Sequence, residues 1–232
     1  MFTSRHSALV VLGIGVLVLS GCTRVDHSAE PRHSAAPSAS ASPSTTSTKP
    51  TLSHLVVSPN GLGDLVPGQP VPADSPATAV MTWDATKCVD AAAGITPGSP
   101  GAGAWLAAYP DAANFDGASW PPFDITPTQA RTDPTMDIQI WSPELKTAQH
   151  IGVGSSLIQL QSAYGTSLTV DSADNSDVYT LRGMRGQLMF EFLKGPDNVG
   201  EPEGVVAWMQ IIPLSVAPFH IANSDGAGPC SE

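Results

Sequence analysis

The sequence predicts an α+β fold, an antiparallel sheet carrying few short helices, placed after a disordered Ser/Pro/Ala/Thr linker. Three observations lead there. Met136 to Trp141 alternates apolar and polar side chains, the period of a strand with one covered face. Ser155 or Ser156 can cap a helix on which Leu157, Leu160 and Tyr164 share one side, and Gly165 ends it. From Leu168 onward short apolar runs alternate with polar turns, the rhythm of a strand meander.

From the N-terminus, Arg5 and His6 precede Ala8 to Leu19, an uncharged run of 12 residues. At about 1.5 Å per helical residue, this run falls short of an apolar core about 30 Å thick. It therefore reads as the central part of a secretory signal peptide over residues 1–21. A single Arg before the run favours general secretion over a twin-Arg signal. Leu19-Ser20-Gly21-Cys22 then resembles a bacterial lipobox. In lipoproteins of that kind the Cys thiol takes a diacylglyceryl group and cleavage makes that Cys the N-terminus. The resemblance implies lipid attachment at Cys22 and a protein on the cell membrane, facing outside the cytoplasm. Each buried methylene contributes about 0.8 kcal/mol, so two or three acyl chains give a durable hold.

Residues 22–51 have the composition of a tether. From Ser28 to Thr51, 20 of 24 residues are Ser, Thr, Ala or Pro, with no aromatic and no branched aliphatic side chain. Such a stretch cannot bury enough apolar surface to offset its ordering entropy, so disorder is expected. A flexible coil of about 30 residues spans roughly 30 Å.

The folded part is expected over residues 52–232, in an N-terminal part (52–134) and a C-terminal part (135–232), long enough to bury a core. It holds 19 Asp and Glu against 6 Lys and Arg, a net charge of −13, so nucleic acid and anionic lipid are poor partners for its surface. Cys88 and Cys230 form an even pair in an oxidising compartment, which predicts one disulfide, with buried free thiols as the competing reading.

In the C-terminal part, Ile138 and Ile140 fall on one face of the first strand and Asp137 and Gln139 on the other. Gly152-Val153-Gly154 has Leu157 where a third glycine would stand, so it is a turn leading into the helix and not a dinucleotide fingerprint. Beyond the helix come Leu168-Thr169-Val170, a polar turn through Asp171 to Asp177, and a strand from Val178 to Arg182. Gly183 to Gly186 connects to Gln187–Leu193, where Leu188, Phe190 and Phe192 point one way and Glu191 faces solvent. After a loop from Gly195 to Gly204, Val205 to Ile212 is the last strand. The N-terminal part echoes this order: Leu55-Val56-Val57-Ser58-Pro59 resembles Ile138 to Pro143, and Gly68-Gln69-Pro70-Val71 parallels Gly154-Ser155-Ser156-Leu157. An offset of about 85 residues is consistent with two tandem strand-helix-meander repeats, the first helix shortened by Pro70, Pro72 and Pro76.

Ile151-Gly152-Val153-Gly154-Ser155-Ser156-Leu157, the stretch to Tyr164-Gly165, and the strands at Tyr179, Leu188–Phe192 and Val205–Ile212 resemble one repeat of the β-lactamase-inhibitor-protein fold. The small lipoprotein subunit of the outer-membrane assembly machine has a similar unit. The resemblance implies a helix laid on an antiparallel sheet over Ile151 to Ile212. The inhibitor's contact residues find no match, and no β-lactamase binding is inferred. Gly61-Leu62-Gly63, Trp83-Asp84 with Cys88, Ser142-Pro143-Glu144 and Asp225 to Cys230 resemble a group of uncharacterised actinobacterial lipoproteins, which supplies no activity to carry over.

Chemistry-bearing patterns are sparse, and no catalytic residue, cofactor or metal is assigned. Asp171, Asp174, Asn175 and Asp177 offer oxygen ligands, but the turn Gly and distal Glu of a calcium-binding hand are missing, Arg182 standing where the Glu would be. It reads as a solvated turn. His54, His150 and His220 are scattered and read as surface or strand-edge residues. Gly94 to Asp124 reads as a long irregular loop containing Trp105, Tyr109, Phe115, Trp120 and Phe123. Trp105, Tyr109 and Trp120 are the candidate binding aromatics, able to stack on cell-wall sugars, anchor a protein partner or simply fill the core. The expected function is a non-catalytic binding or assembly module on the membrane. The alternative is a small secreted hydrolase of wall polymer or peptide, using carboxylates such as Asp84, Glu144 or Glu191.

Overall fold

A computed structural model of the chain describes residues 48–72, 79–113, 119–125, 130–195, 204–223 and 230. The signal peptide, Cys22 and most of the tether lie outside the described residues, as does Phe115. The chain's last tether residues are already docked. The Lys49 ammonium lies 4.7 Å over the Tyr109 ring and donates to the Ala108 carbonyl, and Tyr109 Oη donates to the Pro50 carbonyl at 2.9 Å. Ordered contacts thus begin before residue 52.

β1 (Val56–Ser58) and β2 (Gly61–Leu62) form a small hairpin, followed by the hairpin β3 (Met81–Asp84) and β4 (Ala104–Ala107). β5 (Ala112–Ala113) pairs with β6 (Ser119–Trp120), and β7 (Phe123–Asp124) follows. Among its described residues the 94–124 segment, expected as one irregular loop, carries the short strands β4 to β7: cross-strand pairs such as Trp83 with Trp105 stabilise β4 without a long run of alternation. β8 (Ile138–Ile140) and β9 (Lys146–Thr147) precede the helix α1 (Leu157–Tyr164). The meander completes the chain: β10 (Leu168–Ser172), β11 (Ser176–Arg182), β12 (Gly186–Leu193) and β13 (Val206–Pro213).

The main sheet has the order β10-β11-β12-β13-β8-β7, and every neighbouring pair is antiparallel. β7 joins β8 across the 134/135 boundary, and β1 runs parallel to β9, so the N- and C-terminal parts share their sheets. The two echoing segments are both strands, but β1 lies in a three-stranded sheet and β8 in the six-stranded one.

α1 forms as its end signals dictate. Ser156 Oγ accepts from the Gln159 backbone N–H and the Gln159 side chain accepts from the Ser156 N–H, a reciprocal capping box. Gly165 ends it at a φ of 49°, a conformation side-chain-bearing residues avoid. Leu160 is fully buried, and Tyr164 packs its ring 5.9 Å from Phe190. That sheet face carries the principal core, in which Leu188, Phe190, Met209, Ile211, Ile138 and Ile140 meet Leu55, Val57, Leu62 and Leu145.

The other face is not solvated. Ile138–Ile140 and all of β12 are buried on both sides, which corrects the expectation of a half-covered strand at 136–141. After β13, residues 214–223 cross the second face as a strap. Val216 and Phe219 pack on Val178, Met189 and Ile212, and Gln187 Nε2 donates to the Val216 carbonyl at 2.8 Å. Beyond the strap, Cys88 and Cys230 are joined in a disulfide, with Cα atoms 5.4 Å apart across 142 residues of sequence.

Candidate functional site

Of the candidate aromatics, Trp105 is buried at 5% exposure, its ring edge-on to Trp83 at 5.5 Å. Tyr109 is half-buried, tilted against Phe123 at 6.0 Å, and clamps the tether end. Trp120 is half-buried and lies 5.6 Å from Trp141, which in turn meets Trp208 at 6.1 Å. These three residues do not form one exposed platform, because Trp105 is buried and Tyr109 and Trp120 are half-buried against different rings.

Beside the Trp83–Trp105 pair an open groove of about 440 Å³ is lined by Trp83, the Gly98–Gly103 loop, Arg131 and Asp133. Gly103 makes it possible: a Cβ there would lie 2.3 Å from the Trp83 ring, so only glycine lets the indole lie flat on the backbone. The loop is pinned by Cys88, whose N–H donates to the Ala102 carbonyl at 3.0 Å, next to the disulfide. The Arg131 guanidinium stands 5.7 Å over the Trp105 ring, a geometry that fixes a cation at the groove's rim. The Trp105 indole N–H is buried with no acceptor. An aromatic wall, a backbone floor and one charged side chain of each sign, Arg131 and Asp133, suit a ligand with both apolar faces and polar edges. Sequence reading missed Trp83 and Arg131 as site residues because they come from strand and loop segments nearly 50 positions apart.

A second groove, about 510 Å³, runs between Ser53–Val56 and Pro143–His150. His150 and Glu144 are exposed on it, and His150 holds a φ of 61°. His54 is exposed and bonds Thr51 Oγ1 through Nδ1 at 2.8 Å.

The carboxylates proposed for hydrolysis occupy unrelated surroundings. Asp84 is half-buried, and the Thr86 backbone N–H followed by the Thr86 hydroxyl hold its carboxyl below the usual range, which makes it a poor proton donor. Glu144 borders the second groove. Glu191, expected on the solvent side, is instead 1% exposed: Oε2 accepts from Trp208 Nε1 at 2.7 Å and the Ile221 N–H at 2.8 Å, and Oε1 from the Ala222 N–H at 3.2 Å. The strap that buries it carries no local signal of its docking.

His220, expected as a surface or strand-edge residue, belongs to the strap, and its largely buried side chain contacts the sheet. Its Nδ1 lies 2.6 Å from Ser176 Oγ and 3.9 Å from Glu191 Oε1, while Nε2 lies 3.4 Å from Asp171 Oδ2. Hydroxyl, imidazole and carboxylate thus stand in the order of a nucleophilic triad. The chemistry fails on access, since Ser176 is fully buried and its hydroxyl has no room for a scissile carbonyl. The cluster instead ties the strap to the starts of β11 and the end of β10.

No candidate metal group of three or more His, Cys, Asp or Glu gathers among the described residues. No described helix is long and apolar enough to cross a membrane. Compared with known proteins, the chain matches no family model, no curated protein and no solved structure.

Proposed function

We propose that this chain is a cell-envelope lipoprotein acting as a non-catalytic binding or assembly module, held by lipid at Cys22 on the outer face of the cell membrane. The observation that carries the binding role is the Trp83–Arg131–Asp133 groove, whose floor is braced by the disulfide that an exported domain can keep. Its partner is a protein segment or a cell-wall glycan, both of which present apolar faces edged by polar groups. The tether gives the groove reach away from the lipid surface. The fold is classed as α+β, and the shared strand character of residues 56–58 and 138–140 supports descent from tandem repeats. The hydrolase alternative has less support, because Asp84, Glu144 and Glu191 serve separate local structures and the one triad-like alignment is sealed.

Proximity crosslinking in intact cells tests this, comparing wild type with Cys22→Ala, Trp83→Ala and Arg131→Ala. The Cys22 variant is expected in the medium. Arg131 is exposed, so its removal spares the core, and both groove variants should stay on the membrane while capturing about tenfold less partner, equivalent to about 1.4 kcal/mol. Membrane retention of Cys22→Ala defeats the anchor. Undiminished capture by both groove variants defeats the groove.

A further inference from the structure

On the strap side of the sheet, Gln210, Gln139 and Asp124 are register neighbours across β13, β8 and β7, so their side chains stand in one row. Asp137, two residues before Gln139 on the same face, flanks the row. All four are buried, between 0% and 7% exposed. Gln210 Nε2 donates to Asp137 Oδ2 at 2.8 Å, which fixes the amide's orientation. The Trp141 indole donates to Asp124 Oδ2 at 3.2 Å and roofs the same patch.

Two amide oxygens here, Gln139 Oε1 and Gln210 Oε1, are buried with no hydrogen-bond partner. A buried acceptor left unmade costs about 1–3 kcal/mol, so two in adjacent strands point to something that satisfies both. We propose that this row is a binding site for a hard divalent cation, calcium, held by the Gln139 and Gln210 carbonyls with the carboxylates of Asp124 and Asp137. The donor set is all oxygen, two amide carbonyls and two carboxylates, without nitrogen or sulfur. Such a set selects hard cations over transition metals. Magnesium keeps its waters and demands a tight octahedron, whereas calcium accepts carbonyl and carboxylate oxygens in loose geometry. A chain of net charge −11 favours the cation's approach. The site lies apart from the Asp171–Asp177 turn and from the Trp83 groove, and does not depend on the binding role proposed above.

The test uses the chelator-treated mature protein and two readouts. Calcium at about ten times its dissociation constant should raise the thermal midpoint by about 4 °C, with magnesium giving less. Terbium, a calcium surrogate, should emit under tryptophan excitation because Trp141 adjoins the site, and calcium should quench that emission by displacement. Gln139→Met, Gln210→Met and Asp137→Asn, each close in size to the residue replaced, should abolish both effects. A midpoint unmoved by calcium, as a resident water would leave it, overturns the proposal. So does terbium emission that calcium cannot displace or that survives all three substitutions, which would mark non-specific binding to the acidic surface.

Discussion

At Glu191 one carboxylate joins the sheet to the strap, accepting from a tryptophan on β13 and from two successive backbone N–H groups at 221–222. Moving a charge out of water is costly, and three donors, each a charge-assisted bond, offset that cost. Glu191→Ala leaves one buried and two part-buried donors without that acceptor. The expected loss is about 3–5 kcal/mol, read as a lower urea midpoint, and Glu191→Gln should lose less because it keeps one acceptor. A loss below about 1 kcal/mol would mean that water reaches the donors and that the strap is not fastened here.

The β10–β11 hairpin shows electrostatics at the scale of an element. Burial pushes the Asp177 carboxyl upward, but the Lys194 ammonium at 2.6 Å and the Ser172 hydroxyl at 2.5 Å outweigh it, and the group is held below its usual range. A depressed folded value means stability that is present above the ordinary carboxylate pKa and lost as pH falls through the folded one. For a pair this exposed the contribution stays under about 1 kcal/mol. Unfolding of wild type and Asp177→Asn should therefore differ slightly at neutral pH, converge in acid and converge again in high salt. A gap that persists below the carboxylate range would assign the effect to packing. Elements with strong local signals were legible in the sequence: Ser156, Leu160 and Gly165 announce α1, and the meander from Leu168 to Ile212 follows its apolar runs. β3 and β4 were not, because two four-residue strands joined through a loop of about 20 residues owe their pairing to Trp83 and Trp105 and not to periodicity. Asp137, Gln139 and Glu191 were misread as solvent-facing for a related reason: polar alternation predicts one wet face, whereas all three are buried, Glu191 by a strap distant in sequence.

At the scale of the molecule, the second face of the sheet is covered by a segment late in the sequence, a few residues before Cys230. Residues 214–223 cross the sheet with Val216 and Phe219 as apolar anchors, and farther along the sequence Cys230 is bonded to Cys88, which follows β3. The same bond braces the groove loop through the Cys88 to Ala102 hydrogen bond, so a single crosslink supports both the strap and the proposed binding surface. Closing a loop of 142 residues removes unfolded-state entropy worth up to about 5 kcal/mol. Reducing the protein, or replacing both partners in Cys88→Ser/Cys230→Ser, should lower the urea midpoint by much of that amount. Alkylation supplies the covalent check: in the Cys22→Ala background the unreduced protein takes no adduct and the reduced protein takes two. If reduction also loosens the strap, hydrogen exchange at Ile221 and Ala222 should accelerate with exchange in the Gly98–Gly103 loop, while exchange at Leu160 changes only as far as global stability does. Faster exchange at one end alone would show that the strap and the groove are held independently.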